Sequence, residues 1–263
     1  PTNIFNNISA GTYTLTATDA NGCPTQQTVT MIEPSTSVVS SYTQSNFNNF
    51  GVSCNGDNNG WIDLTVNGGI GIHTYSWSNG ETTEDINTIG AGTYSVTATD
   101  ENGCSTPQTV IITEPSALTS STTQSNFNSF GVSCHGDNDG WIDLTVNGGV
   151  DNIAYTYSWS NGETTEDINT IGVGTYSVIT IDANGCSTQD TVIVTEADSI
   201  TSSFTTTDWN NYEIQCNGGS NGEITLAVLG GVTALPYSFD VDGSSDPTNI
   251  FNNISAGTYT LTA

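Results

Sequence analysis

The seventeen residues PTNIFNNISAGTYTLTA at positions 1–17 return letter for letter at 247–263. A copy of that length does not arise by chance, so the chain reads as one period of 246 residues plus an overlap, cut from a longer array. A shorter repeat lies inside it. SNFNNFGVSCNGDNNGWIDLTVNGG (45–69) recurs as SNFNSFGVSCHGDNDGWIDLTVNGG (125–149), and YEIQCNGGSNGEITLAVLGG (212–231) is a weaker third copy. The stretch YSWSNGETTEDINTIGAGTYSVTATDENGC (75–104) likewise returns at 157–186. Three units of about eighty residues fill the period; each can hold a core, yet is small enough that stacking or crosslinking should add stability.

Short alternating segments separated by Gly, Asn and Asp clusters run throughout, and no 3.6-residue periodicity is sustained, so the fold is expected to be all-β. In WIDLTV (61–66), Ile62, Leu64 and Val66 share one face and Asp63 and Thr65 the other. Ile142, Leu144 and Val146, then Ile224, Leu226 and Val228, keep the pattern. The following segment carries Tyr75 and Trp77, matched by Tyr157 and Trp159 and by Tyr237 and Phe239. A buried aromatic there, followed by a Gly-then-Tyr entry at Tyr94 (also Tyr13, Tyr176 and Tyr259), predicts tandem immunoglobulin-like, PKD-like β-sandwiches in an elongated array. Hairpins closed by Asn-Gly turns are expected over 97–113 and 179–195. Glu33-Pro34, Glu114-Pro115 and Glu196-Ala197 mark the joints. The expected domains are 1–34 (the C-terminal part of a sandwich), 35–115, 116–197, and 198–263 (the N-terminal part of a sandwich that continues as 1–34 of the next period).

The chain has no Lys or Arg against 27 Asp and Glu, a formal charge of −27. Nucleic-acid binding is excluded, since phosphate contacts need cations, and an anionic membrane surface is disfavoured. Lys–Asn isopeptide crosslinks are impossible. No stretch approaches the roughly 18 apolar residues of a membrane span, so no membrane insertion is expected of this segment. The acidity reads as a solvated, self-repelling surface, or as a means of recruiting cations.

Catalysis finds no footing. Glu81, Glu84 and Asp85 recur as Glu163, Glu166 and Asp167, and a duplicated carboxylate set in successive units reads as surface. No histidine recurs to activate a hydroxyl: only His73 and His135 exist. The chain is therefore expected not to be an enzyme and to require no cofactor. Calcium is the one optional ligand. GDNNGWID and GDNDGWID offer Asp57, Asn59 and Asp63, then Asp137, Asp139 and Asp143, as oxygen donors around a glycine. The plainer reading is an Asx-rich turn, because the third copy, NGGSNGEI, loses the aspartates and keeps the turn.

Cys23, Cys54, Cys104, Cys134, Cys186 and Cys216 fall at two recurring places in the unit, which favours disulfides in an oxidising, extracellular setting. In immunoglobulin-like topology Cys54 and Cys104 lie at opposite ends of their sandwich. A strand of about six residues separates such ends by roughly 20 Å, against a disulfide Cα gap of about 5.5 Å. That geometry favours Cys54 with Cys186 across a joint, with Cys104 reaching the preceding domain and Cys134 and Cys216 reaching domains outside the period. Pairing within each domain, Cys54 with Cys104 and Cys134 with Cys186, remains open.

VSCNGDNNGWIDLTVNGG, YSWSNG, AGTYSVTATDENGC and TEP together resemble the SprB repeat of Bacteroidota surface adhesins, over essentially the whole chain; the third unit departs, with SFDVDG for SWSNG. The resemblance implies a giant cell-surface filament, exported by type IX secretion and tied in some members to attachment and gliding motility. It also implies O-glycosylation at Asp-Ser/Thr-apolar triplets, matched at Thr191 and Ser199. The expected function is a structural stalk whose partners are neighbouring identical repeats, other fibres or surface glycans. A glycan-binding array using the Trp residues, and an accessory stalk of a large secreted enzyme, are the alternatives.

Overall fold

A computed structural model describes residues 4–150, 154–232 and 237–262. The described residues form strands and turns with no helix. Two compact units divide the chain, Pro1–Ser116 and Ala117–Ala263.

The first unit opens with a hairpin, β1 (Gly11–Thr18) paired antiparallel to β2 (Pro24–Met31) as a two-stranded sheet. A sandwich follows, built from β3 (Val39–Gln44), β4 (Gly60–Asn67), β5 (Thr74–Trp77), β6 (Ile86–Ile89), β7 (Gly92–Thr99) and β8 (Ser105–Ile112). Its sheets are ordered β3-β4-β6 and β5-β7-β8. Alternation dictates the packing: Ile62 and Leu64 of β4 point inward while Asp63 and Thr65 face solvent. They meet Trp77, Val96, Val110 and Ile112 of the opposite sheet in one core, the layered arrangement of an immunoglobulin-like sandwich.

The second unit holds two sandwiches. One comprises β9 (Ser116–Gln124), β10 (Gly140–Gly149), β11 (Thr156–Trp159), β12 (Ile168–Ile171), β13 (Gly174–Ile181) and β14 (Ser187–Val194), with sheets β12-β10-β9 and β11-β13-β14. Its core repeats the first position by position, Ile142, Leu144, Trp159, Val178 and Val194. The other comprises β15 (Asp198–Thr206), β16 (Gly222–Gly231), β17 (Phe239–Val241), β18 (Ser244–Asp246), β19 (Ile250–Ile254) and β20 (Leu261–Thr262), with sheets β15-β16-β19 and β18-β17-β20. Its buried core is smaller: Ile224, Leu226, Val241 and Phe251.

Buried tryptophans lock the cores. Trp77 Nε1 donates to the Thr83 carbonyl and Trp159 Nε1 to that of Thr165, both at 2.9 Å, so each indole satisfies its one donor inside an apolar layer. The tyrosine corner appears in every copy. The hydroxyls of Tyr13, Tyr94, Tyr176 and Tyr259 donate to the carbonyls of Ser9, Gly90, Gly172 and Ser255.

Candidate functional site

The recurring polar features gather at the two ends of each of the first two sandwiches. At the exit end, the loop bearing Cys54 closes over the last residues of its own domain. Gly56 N donates to Glu114 Oε2 at 2.7 Å and Asn55 Nδ2 to the Pro115 carbonyl at 3.1 Å. The next sandwich repeats the clamp: Gly136 N donates to Glu196 Oε2 at 2.7 Å, and His135 Nδ1 lies 3.3 Å from both Glu196 Oε1 and the Ala197 carbonyl. Pro115 and Ala197 are buried. Gly56 and Gly136 both have φ of +81°, a left-handed conformation that leaves the N–H free to meet the glutamate with little backbone strain.

At the entry end, a buried aspartate builds the turn that carries the other cysteine. Asp100 Oδ1 accepts from Asn102 N (3.0 Å) and Cys104 N (2.8 Å), and its Oδ2 from Ile70 N (3.0 Å). Burial opposes ionisation, but those three backbone donors prevail and hold the carboxyl below its ordinary value. Asp182 repeats the device with Asn184 N, Cys186 N and Val150 N, each at 2.9 Å. A Cβ on Gly69 would come within 2.8 Å of Asp100 Oδ2, and one on Gly149 within 2.6 Å of Asp182 Oδ2, so glycine is what lets these carboxylates seat.

Cys54 and Cys186 are disulfide-bonded. Cys23, Cys104, Cys134 and Cys216 carry free, exposed thiols.

A family model for the SprB repeat matches residues 51–82, 129–164 and 213–246, each match starting in or just before a cysteine loop and running through the aromatic strand. The chain carries SprB repeats. No curated protein matches it. Among solved structures, an amphioxus IgVJ-C2 molecule is 14% identical over 47% of this chain and 88% of that one, with a TM-score of 0.25. A Ca²⁺-stabilised adhesin that helps an Antarctic bacterium bind ice is 15% identical over 95% and 79%, with a TM-score of 0.34. The N-terminal eight immunoglobulin domains of Down syndrome cell adhesion molecule are 11% identical over 69% and 26%, with a TM-score of 0.24.

In the SprB repeats the candidate calcium ligands serve the loop itself. Ser53 Oγ donates to Asp57 Oδ2 at 2.6 Å, and Ser53 N to Asn59 Oδ1 at 3.1 Å. Ser133 Oγ likewise donates to Asp137 Oδ2 at 2.9 Å and Ser133 N to Asp139 Oδ1 at 3.0 Å. The Ser133 side chain, followed by its backbone N–H, holds the Asp139 carboxyl below its ordinary value. Asp63 and Asp143 sit apart from the loop as exposed strand residues of β4 and β10. Among the described residues no three His, Cys, Asp or Glu side chains gather as a metal site would require.

The carboxylate triplet is likewise dispersed into structure. Asp85 Oδ1 accepts from Leu64 N, and Asp167 Oδ1 from Leu144 N, both at 2.9 Å. Burial, followed by the neighbouring Glu84, raises the Tyr75 phenol above its ordinary value; Tyr157 repeats this with Glu166. Thr191 and Ser199 are exposed.

Two features escaped the sequence reading. The turn-building role of Asp100 and Asp182 was hidden in TATDENGC and ITIDANGC, where an Asp four residues before Cys is the usable signal. The tryptophans also divide. Trp77 and Trp159 are 4% and 3% exposed and closed to any ligand, whereas Trp61 and Trp141 are 40% and 42% exposed on the solvent faces of β4 and β10.

Proposed function

We propose that this chain is a repeat region of a secreted cell-surface adhesin and acts as an extracellular stalk whose domain joints are held stiff. The observation that carries the reading is the duplicated clamp at the exit end, Gly56 with Glu114 and Gly136 with Glu196, placed at the residues where one sandwich hands over to the next. A binding site needs to occur once; a clamp repeated at successive joints is what a load-bearing series requires. The SprB repeats, the missing cations and the half-cystines agree with an extracellular setting. On this reading the chain performs no catalysis, and its service is reach for attachment or gliding after type IX export.

The cysteine ends fit the same scheme. Cys54 lies in the loop that clamps Glu114, at the exit of its sandwich, and Cys186 in the turn seated on Val150, at the entry of its own. Joining them would staple one joint, and the partners demanded by pairing within domains, Cys104 and Cys134, carry free thiols. Non-reducing peptide mapping should return a Cys54–Cys186 crosslink; a Cys54–Cys104 peptide would refute the staple. For stiffness, small-angle scattering of the chain should show a loss of maximum dimension when Glu114→Ala and Glu196→Ala are combined. An unchanged profile removes the clamp from the explanation.

A second reading is favoured by the exposed Trp61 and Trp141, flat apolar faces beside Asp63 and Asp143 that could stack on sugar rings. A glycan array that is blank for the chain, or a signal surviving Trp61→Ala with Trp141→Ala, rejects it.

A further inference from the structure

The outer face of β4 and β6 in the first sandwich carries an irregularity that serves no core. Gly60 pairs with Ile89 but Trp61 pairs with Asn87, so Thr88 is an extra residue, a β-bulge in β6. Thr88 adopts φ of +58°, the left-handed conformation that such a bulge ordinarily gives to glycine and that a β-branched side chain adopts only under strain. Ile86 and Ile89 on either side are buried, whereas Thr88 itself is exposed, so packing does not explain the threonine. The second sandwich repeats the arrangement. Gly140 pairs with Ile171 and Trp141 with Asn169, leaving Thr170 exposed at φ of +59°.

The strained threonine keeps company with the exposed indole. The third sandwich has the same bulge, with Gly222 paired to Ile254 and Glu223 to Asn252, but its extra residue is Asn253 at φ of +62°. Asparagine tolerates that conformation. In the same copy Glu223 stands where the others have Trp61 and Trp141, and Thr225 where they have Asp63 and Asp143. The strain is kept where the tryptophan is present and relieved where it is absent, the pattern of a site whose geometry is held for a ligand.

The residues around the indole supply its polar complement. Asn87 pairs directly across from Trp61, and Thr43 across from Asp63, on the solvent side of the sheet. The Thr88 hydroxyl donates to Asn87 Oδ1 at 3.1 Å, and the Thr170 hydroxyl to Asn169 Oδ1 at 3.2 Å. The bulge residue thus occupies the amide oxygen and leaves the amide N–H pair to donate elsewhere. A flat apolar ring, an amide donor across from it and a carboxylate acceptor two residues along the strand match the C–H face of a pyranose and the hydroxyls at its rim. With no Lys or Arg and a formal charge of −27, the chain repels uronates and sulfated sugars and has no cation to offset that repulsion.

We propose that Trp61, Asn87, Thr88 and Asp63, and equally Trp141, Asn169, Thr170 and Asp143, form subsites for uncharged pyranose polysaccharides, with Thr88 and Thr170 as positioning residues that act through the amide. The inference rests on the glycan reading of the exposed tryptophans and adds to it the bulge, the amide and the class of sugar.

Affinity electrophoresis of the 263-residue chain through native gels containing laminarin, galactomannan, hydroxyethylcellulose or polygalacturonate tests it. At least one of the three uncharged polymers should retard the chain, and polygalacturonate should not. Trp61→Ala with Trp141→Ala should abolish the retardation. Asn87→Ala with Asn169→Ala, and Thr88→Gly with Thr170→Gly, should each weaken it about fivefold, as the loss of one hydrogen bond implies. Thr88→Ser with Thr170→Ser keeps the hydroxyl and should keep the binding. Thermal unfolding serves as the check that each variant stays folded. No retardation by any uncharged polymer, or retardation that survives the tryptophan variant, overturns the inference together with the glycan reading. Retardation that needs the tryptophans but ignores the Asn→Ala and Thr→Gly variants, or that is as strong with polygalacturonate, overturns this inference alone.

Discussion

The second and third sandwiches share a unit, a strand order and most of their pattern, yet differ in how completely their cores close. In the second, Val132 is fully buried beneath Val194, and a Cβ on Gly131 would come within 2.6 Å of that valine. In the third, the counterpart of Val132 is Ile214, half-buried on the rim of a groove. The lesson is that alternation within a strand secures a face, whereas closure needs a strand from elsewhere in the sequence.

The largest test removes equivalent leucines. Leu144→Ala should cost about 2–5 kcal/mol, because the second core cannot relax into the cavity, while Leu226→Ala should fall toward or below the lower end of that range, since the open groove lets neighbours collapse. Denaturant unfolding followed by hydrogen exchange in β10 and β16 reads both; equal costs would break the comparison.

Acid sharpens it next. Asp100 has a lowered folded pKa, so its stabilisation is present above the unfolded carboxylate value of about 3.9 and is lost as pH falls through the folded value. The first sandwich should lose denaturant resistance as pH falls below about 4, and Asp100→Asn should flatten that slope. An unchanged slope removes the turn aspartate from the account.

A smaller gain comes from copying the third sandwich into the others. Thr88 and Thr170 adopt φ of +58° and +59°, a left-handed conformation costly for a β-branched residue, while the equivalent Asn253 sits at +62°. Thr88→Asn and Thr170→Asn should each raise stability by about 0.5–1 kcal/mol in chemical denaturation. A loss would mean that the Oγ1 bonds to Asn87 and Asn169 outweigh the strain.

Calcium should matter least. Since Ser53 and Ser133 already engage the loop carboxylates, melting temperatures with calcium and with chelator should agree within about 2 °C. A larger rise, abolished by Asp57→Asn with Asp137→Asn, would restore the metal reading.

Much of this was legible before any coordinates. The period-two runs at 61–66, 141–146 and 223–228 announced inward faces, and the Gly-then-Tyr entries announced corners whose hydroxyls do bond back. The candidate ligand set was harder to read, because Asp57, Asn59 and Asp63 are near in sequence but a strand start divides them: two turn back on Ser53 while Asp63 faces solvent. The tryptophans divided for a similar reason, since only strand phase distinguishes Trp61 from Trp77.

By itself, the sequence determined the all-β class, the sandwich register and the hierarchy of repeats, since these follow from local alternation and from identity between distant segments. Only the tertiary structure decided which carboxylates build turns and which indoles reach solvent. Those outcomes depend on which strands meet across a sheet, and such pairing is a property of contacts between residues far apart in the chain.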